Sequence, residues 1–184
     1  RLGAFGVMLR RGPDIARAVG LGEVDRIVAV PENGALAVDA TSVPVYVLGG
    51  GGDERDLGPR VTDMERIDPD AVRIPAWYLA NPGRAEDLAF ILFTGGGDKI
   101  RINHITNRRW ALSAFGTASA AALSSSDTVY SVTPIHHPSG LLTSIGGAVA
   151  GGSRLALAIH FDPATFWDEV RRYGVTIVSY TWTL

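Results

Sequence analysis

The chain contains no cysteine and a single lysine, Lys99, in 184 residues. Without cysteine there is no disulfide framework, which is compatible with a reducing cytosol. Neither sign of charge dominates: Lys+Arg number 17 against 19 for Asp+Glu. There is no basic stripe of the kind nucleic-acid binding needs. There is also no polybasic cluster suited to an anionic membrane surface. The opening Arg1-Leu2-Gly3 lacks the charged, apolar and small-residue order of a signal peptide. It also lacks an initiator methionine, so a fragment is expected. Lys, Arg, Asp and Glu are all missing from Thr128 to Ser153. Pro134, Pro138, two histidines and several glycines interrupt that stretch, so it reads as a buried segment rather than a membrane span. No pair of histidines with a carboxylate has metal-ligand spacing. Neither G-x-S-x-G nor G-x-x-x-x-G-K-[ST] occurs, which removes support for a hydrolase elbow and for a Walker-type loop. Gly49 to Gly52 lacks the spacing and following helix of a dinucleotide fingerprint. Internal repeats and low-complexity tracts are absent.

What is present alternates between strand and helix patterns. Strands are expected at Phe5 to Leu9, Arg26 to Val30 and Val43 to Leu48, with Pro44 marking an edge or a strand start. Helices are expected from Pro13-Asp14 to about Val19 and from Pro31 to Ala40, the latter weakened by Asn33-Gly34. Gly49 to Asp56 reads as a polar loop and as the most flexible stretch. Val61 to Ile67 suggests a short helix, and Ile74 to Arg84, with two prolines, an irregular connector. Leu88 to Thr94 is almost wholly apolar, as for a strand buried on both faces. Lys99 to Ile105 alternates, placing Ile100, Ile102 and His104 on one face. Thr106 can cap a helix from Asn107 to Leu123, whose alanines and serines permit close packing. A strand at Asp127 to Thr133, a helix at Gly140 to Ala150 and a strand at Arg154 to Ile159 come next. Asp162-Pro163 opens a helix to Tyr173, Gly174 caps it in a left-handed conformation, and Val175 to Tyr180 forms the last strand. This succession points to an α/β architecture, a layered and mostly parallel sheet flanked by helices.

One stretch carries chemistry. The apolar run from Asp87 to Thr94 leads into Gly95-Gly96-Gly97-Asp98-Lys99. Glycines let a backbone approach an anion and turn its N–H groups toward it. A neighbouring lysine adds a point charge suited to phosphate. An ordinary glycine turn between two strands is the plainer reading of the loop taken alone.

Asp-Leu-Ala-Phe-Ile-Leu-Phe-Thr-Gly resembles the entry to the phosphate loop of the adenylate-forming superfamily, which includes acyl-CoA synthetases, luciferases and peptide-synthetase adenylation domains. Pro134-Ile135-His136-His137-Pro138-Ser139-Gly140-Leu141 is similar to that family's P-x-x-H-x-x-G-L motif. Gly151-Gly152-Ser153, then Phe161-Asp162-Pro163 to Phe166 and Arg172-Tyr173-Gly174-Val175-Thr176, follow in the family's order and spacing. The resemblance is strong over about 86–184 and weak over 1–85. It implies part of an N-terminal adenylate-forming domain, in one region spanning 1–184.

The resemblance implies an acid–thiol ligase. Such enzymes join a carboxylate to ATP, giving acyl-AMP and pyrophosphate, and then pass the acyl group to a thiol. Backbone N–H groups, Mg²⁺ and cationic charge would relieve the repulsion between carboxylate and polyphosphate. Position by position, Thr94 matches the loop's first hydroxyl and Gly96 its first glycine. Gly95 and Gly97 stand where Ser and Thr are usual. Arg101 falls nearest the family's lysine, with Lys99 an alternative donor. Thr94, Gly95, Gly96, Gly97, Lys99 and Arg101 are therefore the implied ATP phosphate contacts. His137, Ser139 and Gly140 are the implied acyl-pocket residues. His136 is expected in packing, and His104 and His160 on strands in structural roles. Trp110, Phe115, Phe166, Trp167 and Trp182 are expected in core or interface.

The loss of two loop hydroxyls removes phosphate hydrogen bonds that could each contribute about 0.5–3 kcal/mol. A degenerate domain, kept for acyl binding or protein interaction, is therefore the competing expectation. An unrelated flavodoxin-like domain is a third. The implied cofactors are ATP, Mg²⁺ and coenzyme A. The implied partners are a carboxylic acid, weakly a fatty acid, a CoA or carrier-protein thiol, and a C-terminal domain of the same protein. The ribose-binding aspartate, the Mg²⁺-binding acid and the catalytic lysine are expected beyond Leu184, so no catalytic residue or metal ligand is assigned here. The isolated fragment is expected to be inactive. A cytoplasmic location, with room for peripheral membrane contact, completes the expectation.

Overall fold

The computed structural model describes residues 12–50, 55–77, 83–95, 99–158 and 160–182. It divides into two compact units. One is drawn from Met8–Pro82 with Gly95–Ile102, the other from Gly83–Thr94 with Asn103–Leu184. The strand expected at Phe5 to Leu9 lies outside the described residues.

The first unit contains α1 (Gly12–Leu21), β1 (Ile27–Ala29), α2 (Pro31–Ala40), β2 (Val45–Val47) and β3 (Val61–Asp63). The three strands are parallel, in the order β1-β2-β3. Pro31 sits in the first turn of α2, where its missing N–H costs nothing, so the helix forms despite Asn33-Gly34. Gly34 in fact helps α2 approach the sheet: a Cβ there would lie 3.0 Å from Val47 Cγ2. Ala37, Val45 and Val47 form the core, flanked by Ile27, Val38, Leu57 and Val61.

One expectation is narrowed in this unit and one is corrected. Of the two places expected for Pro44, it takes the strand start: it precedes β2, a central strand and not an edge, and its carbonyl accepts a hydrogen bond from Ile27 N at 3.0 Å. Val61 to Ile67 is not a helix. β-Branched Val61 and Thr62 pair with β2, and only Met64–Arg66 forms a 3₁₀ turn, capped by the Asp63 side chain. Asp63 also takes two hydrogen bonds from Arg55, Nε to Oδ2 and Nη2 to Oδ1, each 2.8 Å. Arg55 Nη1 donates to Gly49 O at 2.8 Å. The described end of the Gly49 to Asp56 loop is therefore pinned by charge; residues 51–54 lie outside the described set. These bonds and the Arg55 charge hold the Asp63 carboxyl below its ordinary value.

The second unit opens with β4 (Leu88–Thr94), which pairs with β5 (Arg101–Thr106); of β5, Asn103–Thr106 belong to this unit. Their link is too short for a parallel crossover, so they run antiparallel. β4 is not buried on both faces throughout. Only Ile91, Leu92 and Phe93 are buried, and Leu88 is exposed, because a two-stranded ribbon lacks the second layer that covers a parallel sheet. On β5 the buried residue is Ile105, which shares its face with Arg101 and Asn103; His104 is exposed.

α3 (Asn107–Ala120) starts where expected: the Thr106 hydroxyl accepts from Arg109 N at 3.2 Å. It ends at Ala120, and Ala122, just past its cap, is held in a left-handed conformation (φ 48°). β6 (Thr128–Ser131) is fully buried and central to a second parallel sheet ordered β7-β6-β8. Its neighbours are β7 (Arg154–Leu157) and β8 (Ile177–Ser179). Between β6 and β7 the helix expected at Gly140 to Ala150 begins as a π-helix, Ser139–Ile145, and continues as α4 (Gly146–Gly151). A Cβ on Gly147 would stand 2.7 Å from Thr117 Cγ2, and one on Gly151 2.5 Å from Leu123 Cβ. The close packing expected of α3 is therefore met by glycines on α4. α5 (Phe166–Arg172) starts later than expected. Asp162 Oδ1 accepts from Ala164 N at 2.9 Å and so caps the turn that leads into it. Gly174 is left-handed, as expected (φ 58°). His160 lies past the end of β7 and is exposed, not on a strand. No described helix is long and apolar enough to cross a membrane.

Candidate functional site

The P-x-x-H-x-x-G residues are brought together in one tight turn at the carboxyl end of β6. His137 N donates to Pro134 O at 2.9 Å, and Leu141 N donates to His137 O at 3.0 Å. Gly140 is buried against the same turn. A Cβ there would run into Pro134 O and stand 2.8 Å from Thr133 O, so only glycine lets the π-helix start on this carbonyl. This contact explains the spacing between Pro134 and Gly140.

His137 is exposed and oriented by its neighbour. Ser139 N donates to His137 Nδ1 at 3.1 Å. A neutral imidazole that accepts at Nδ1 carries its proton on Nε2. The ring thus offers a hydrogen-bond donor at its outer nitrogen. Leu141, with Phe90 and Trp110, packs on the buried cluster of Leu92, Ile105 and Leu142, which seats the π-helix. Phe90 and Trp110 have ring centroids 4.8 Å apart.

Hydroxyls collect at the same end of the sheet, and sequence reasoning missed them. Ser131 Oγ donates to Thr133 O at 3.2 Å. Ser144 Oγ lies 2.7 Å from Ser179 Oγ, at the end of β8. Thr133 is 4% exposed, and its Oγ1 has no hydrogen-bond partner among the described residues. The order β7-β6-β8 sends the chain from β6 to one side and then back across to the other. Open parallel sheets bind ligands outside the carboxyl ends of their strands at such a reversal of strand order. Hydroxyl residues at 131, 133 and 179, each near the end of an apolar strand, were the available signal. Deeper in the sheet, the Tyr130 hydroxyl donates to Glu169 on α5. Burial, then this bond, raises Tyr130 to about 12.

The glycine loop is described in part. Thr94 ends β4 and is exposed. Gly95 has φ +83°, and a Cβ there would stand 2.5 Å from Lys99 O. The backbone closes on itself at this point, which an ordinary side chain would block. Lys99 and Arg101 are both exposed cations. Gly96 and Gly97 lie outside the described residues. Exposed cations beside the chain reversal at Gly95 suit a polyphosphate. Among the described residues, no group of three or more His, Asp or Glu is placed to hold a metal. Of the aromatic residues expected in core or interface, Trp110 and Phe166 are packed, but Phe115, Trp167 and Trp182 are exposed, Trp182 to 98%.

No protein-family model matches the chain. Individual relatives do. The medium/long-chain-fatty-acid–CoA ligase FadD6 of Mycobacterium tuberculosis is 30% identical over 188 residues, covering 98% of this chain and 30% of that protein. Mouse long-chain fatty acid transport protein 1 is 30% identical over 131 residues, covering 68% of this chain and 20% of that protein. An acyl-CoA synthetase from Brucella canis shares the fold, with TM-score 0.71 and 18% identity over 91% of this chain and 30% of its own. The chain thus spans about a third or less of the relatives it matches. It is nevertheless aligned almost from end to end with a fatty-acid–CoA ligase, and its α/β layering is that of an acyl-CoA synthetase. The chain belongs to the adenylate-forming (AMP-binding) superfamily, among its acyl-CoA synthetase-like members.

Proposed function

We propose that this chain is part of the N-terminal domain of an ATP-dependent acyl-CoA synthetase acting on a fatty acid. The observation that carries the reading is the alignment of 98% of the chain with a fatty-acid–CoA ligase, together with an intact P-x-x-H-x-x-G turn. In this reading, Thr94, Gly95, Gly96, Gly97, Lys99 and Arg101 hold the phosphates of ATP. Bound with Mg²⁺, ATP supplies the adenylyl group that activates the acid. Backbone donors and the two cations offset the charge that accumulates as carboxylate and phosphate meet. His137 donates from Nε2 to a carboxylate oxygen and so orients the acid, while Ser139 and Gly140 shape the pocket beside it. A C-terminal domain of the parent protein and a thiol, of CoA or of a carrier protein, complete the reaction. The working location is cytoplasmic, with peripheral contact to a membrane where the acid is delivered.

A second reading is favoured by one observation. Gly95 and Gly97 replace loop hydroxyls, which weakens the hold on phosphate and suits a domain retained for acyl binding or protein interaction. ATP–pyrophosphate exchange by the parent polypeptide, with acids from acetate to long-chain fatty acids, separates the two. Exchange with one chain-length class supports the ligase. No exchange from folded protein, with retained fatty-acid binding, supports the second reading.

A further inference from the structure

Ser144 is 1% exposed, and its hydroxyl faces two oxygens: Ser139 O at 3.2 Å and Ser179 Oγ at 2.7 Å. A serine hydroxyl has one proton to give. Ser144 is the donor in both contacts, so its one proton is shared between Ser179 Oγ and Ser139 O. Ser139 is then gripped at both ends: its carbonyl by Ser144 and its N–H by His137 Nδ1.

This grip falls within the π-helix. A π-turn is rare beside the α-helix, and serine hydroxyls that bond backbone carbonyls compete with the regular α-helical ladder. Ser144 is five residues after Ser139, the separation of a π-type bond, so its side chain reinforces the register its backbone uses. Relaxation of this segment toward an α-helix would shift Ser139 relative to the turn that begins at Pro134. The Ser139 N–H would leave Nδ1, and the imidazole would lose its single tautomer. We propose that Ser144, anchored by Ser179 on β8, is a positioning residue that fixes the tautomer and direction of His137. The functional consequence, though not the geometry, rests on the ligase reading above.

Two measurements on the folded parent polypeptide test this. The first needs no activity: the rate of carbethoxylation of His137 by diethyl pyrocarbonate, followed by mass spectrometry. The reagent needs an unprotonated nitrogen, and the one on His137 is engaged by Ser139 N–H. Ser144→Ala should speed the reaction about fivefold to tenfold, the factor for losing one hydrogen bond. Ser144→Thr, which keeps the hydroxyl, should restore the slow rate. Ser179→Ala should give an intermediate rate, and it decides the matter if Ser144→Ala does not fold. An unchanged His137 rate in the folded variants overturns the proposal. The second is the KM for the acid in pyrophosphate exchange, which Ser144→Ala should raise several-fold while the KM for ATP stays constant. If the parent shows no exchange with any acid, the ligase reading fails, and the His137 rate alone still decides the role of Ser144.

Discussion

The two three-stranded sheets of this chain share parallel pairing and differ in order. β1-β2-β3 runs in sequence, so every connection moves the same way and the order holds no reversal. β7-β6-β8 doubles back, and the histidine turn and the hydroxyl cluster lie where it does so. The polar ties differ too. The first unit fastens its loop with a charge pair, Arg55 to Asp63. The second fastens strand ends with hydroxyls, as at Asp127, which accepts from Ser124 and Thr176. Strand order, more than composition, decides which sheet can host a site.

The largest test of that contrast strikes the core beneath the π-helix. Leu92 is fully buried, and Leu92→Ala should cost about 2–5 kcal/mol in urea denaturation. A loss below 1 kcal/mol would mean that the histidine turn is not seated on this core. Next comes Tyr130→Phe, which removes a hydrogen bond to a charged group and should cost about 1.5–3 kcal/mol. The pH dependence has a definite sign. The Tyr130 value is raised by folding, so its contribution is complete below pH 10 and falls away as pH rises toward about 12. The alkaline loss of stability should be shallower in Tyr130→Phe, and an identical slope would refute the assignment. Gly151→Ala should cost about 1–3 kcal/mol, because the added Cβ meets Leu123. A neutral result would show that α3 and α4 can move apart freely.

The charge pair gives a smaller effect, read in slope rather than size. Asp63 is held low by its hydrogen bonds to Arg55, and Asp127 by those from Ser124 and Thr176. A lowered carboxyl stabilises fully above its ordinary value and loses that contribution as pH falls through the folded one. Arg55→Met should flatten the acid slope of stability contributed by the first unit. Thr176→Val should do the same for the second, with less dependence on salt because no ion pair is involved. The smallest effect belongs to exposed Leu112: Leu112→Ser should stay within about 0.5 kcal/mol of the parent.

Much of the architecture was legible because it is written in local signals. Pro31, the Thr106 cap and Gly174 fixed element ends through rules that need no tertiary context. The misread elements are those decided by neighbours. Val61 to Asp63 became a strand because β2 offers an open edge. At the candidate site, Pro134, His137 and Gly140 stood out through their spacing. Ser144 and Ser179 did not, since 35 residues separate hydroxyls that meet only after β8 lies beside β6.

The π-helix also constrains length. Each residue of an α-helix turns the chain by about 100°. Deleting one residue between Gly140 and Ile145 would rotate Gly147 and Gly151 away from α3 by about that angle. The place of Gly147 at the contact would pass to Ala148, whose Cβ would meet Thr117. Substitutions along this segment are therefore separable in their effects, whereas a one-residue insertion or deletion would disturb the histidine turn and the α3–α4 contact together. Lineages of this fold should tolerate changes of side chain here far better than changes of length.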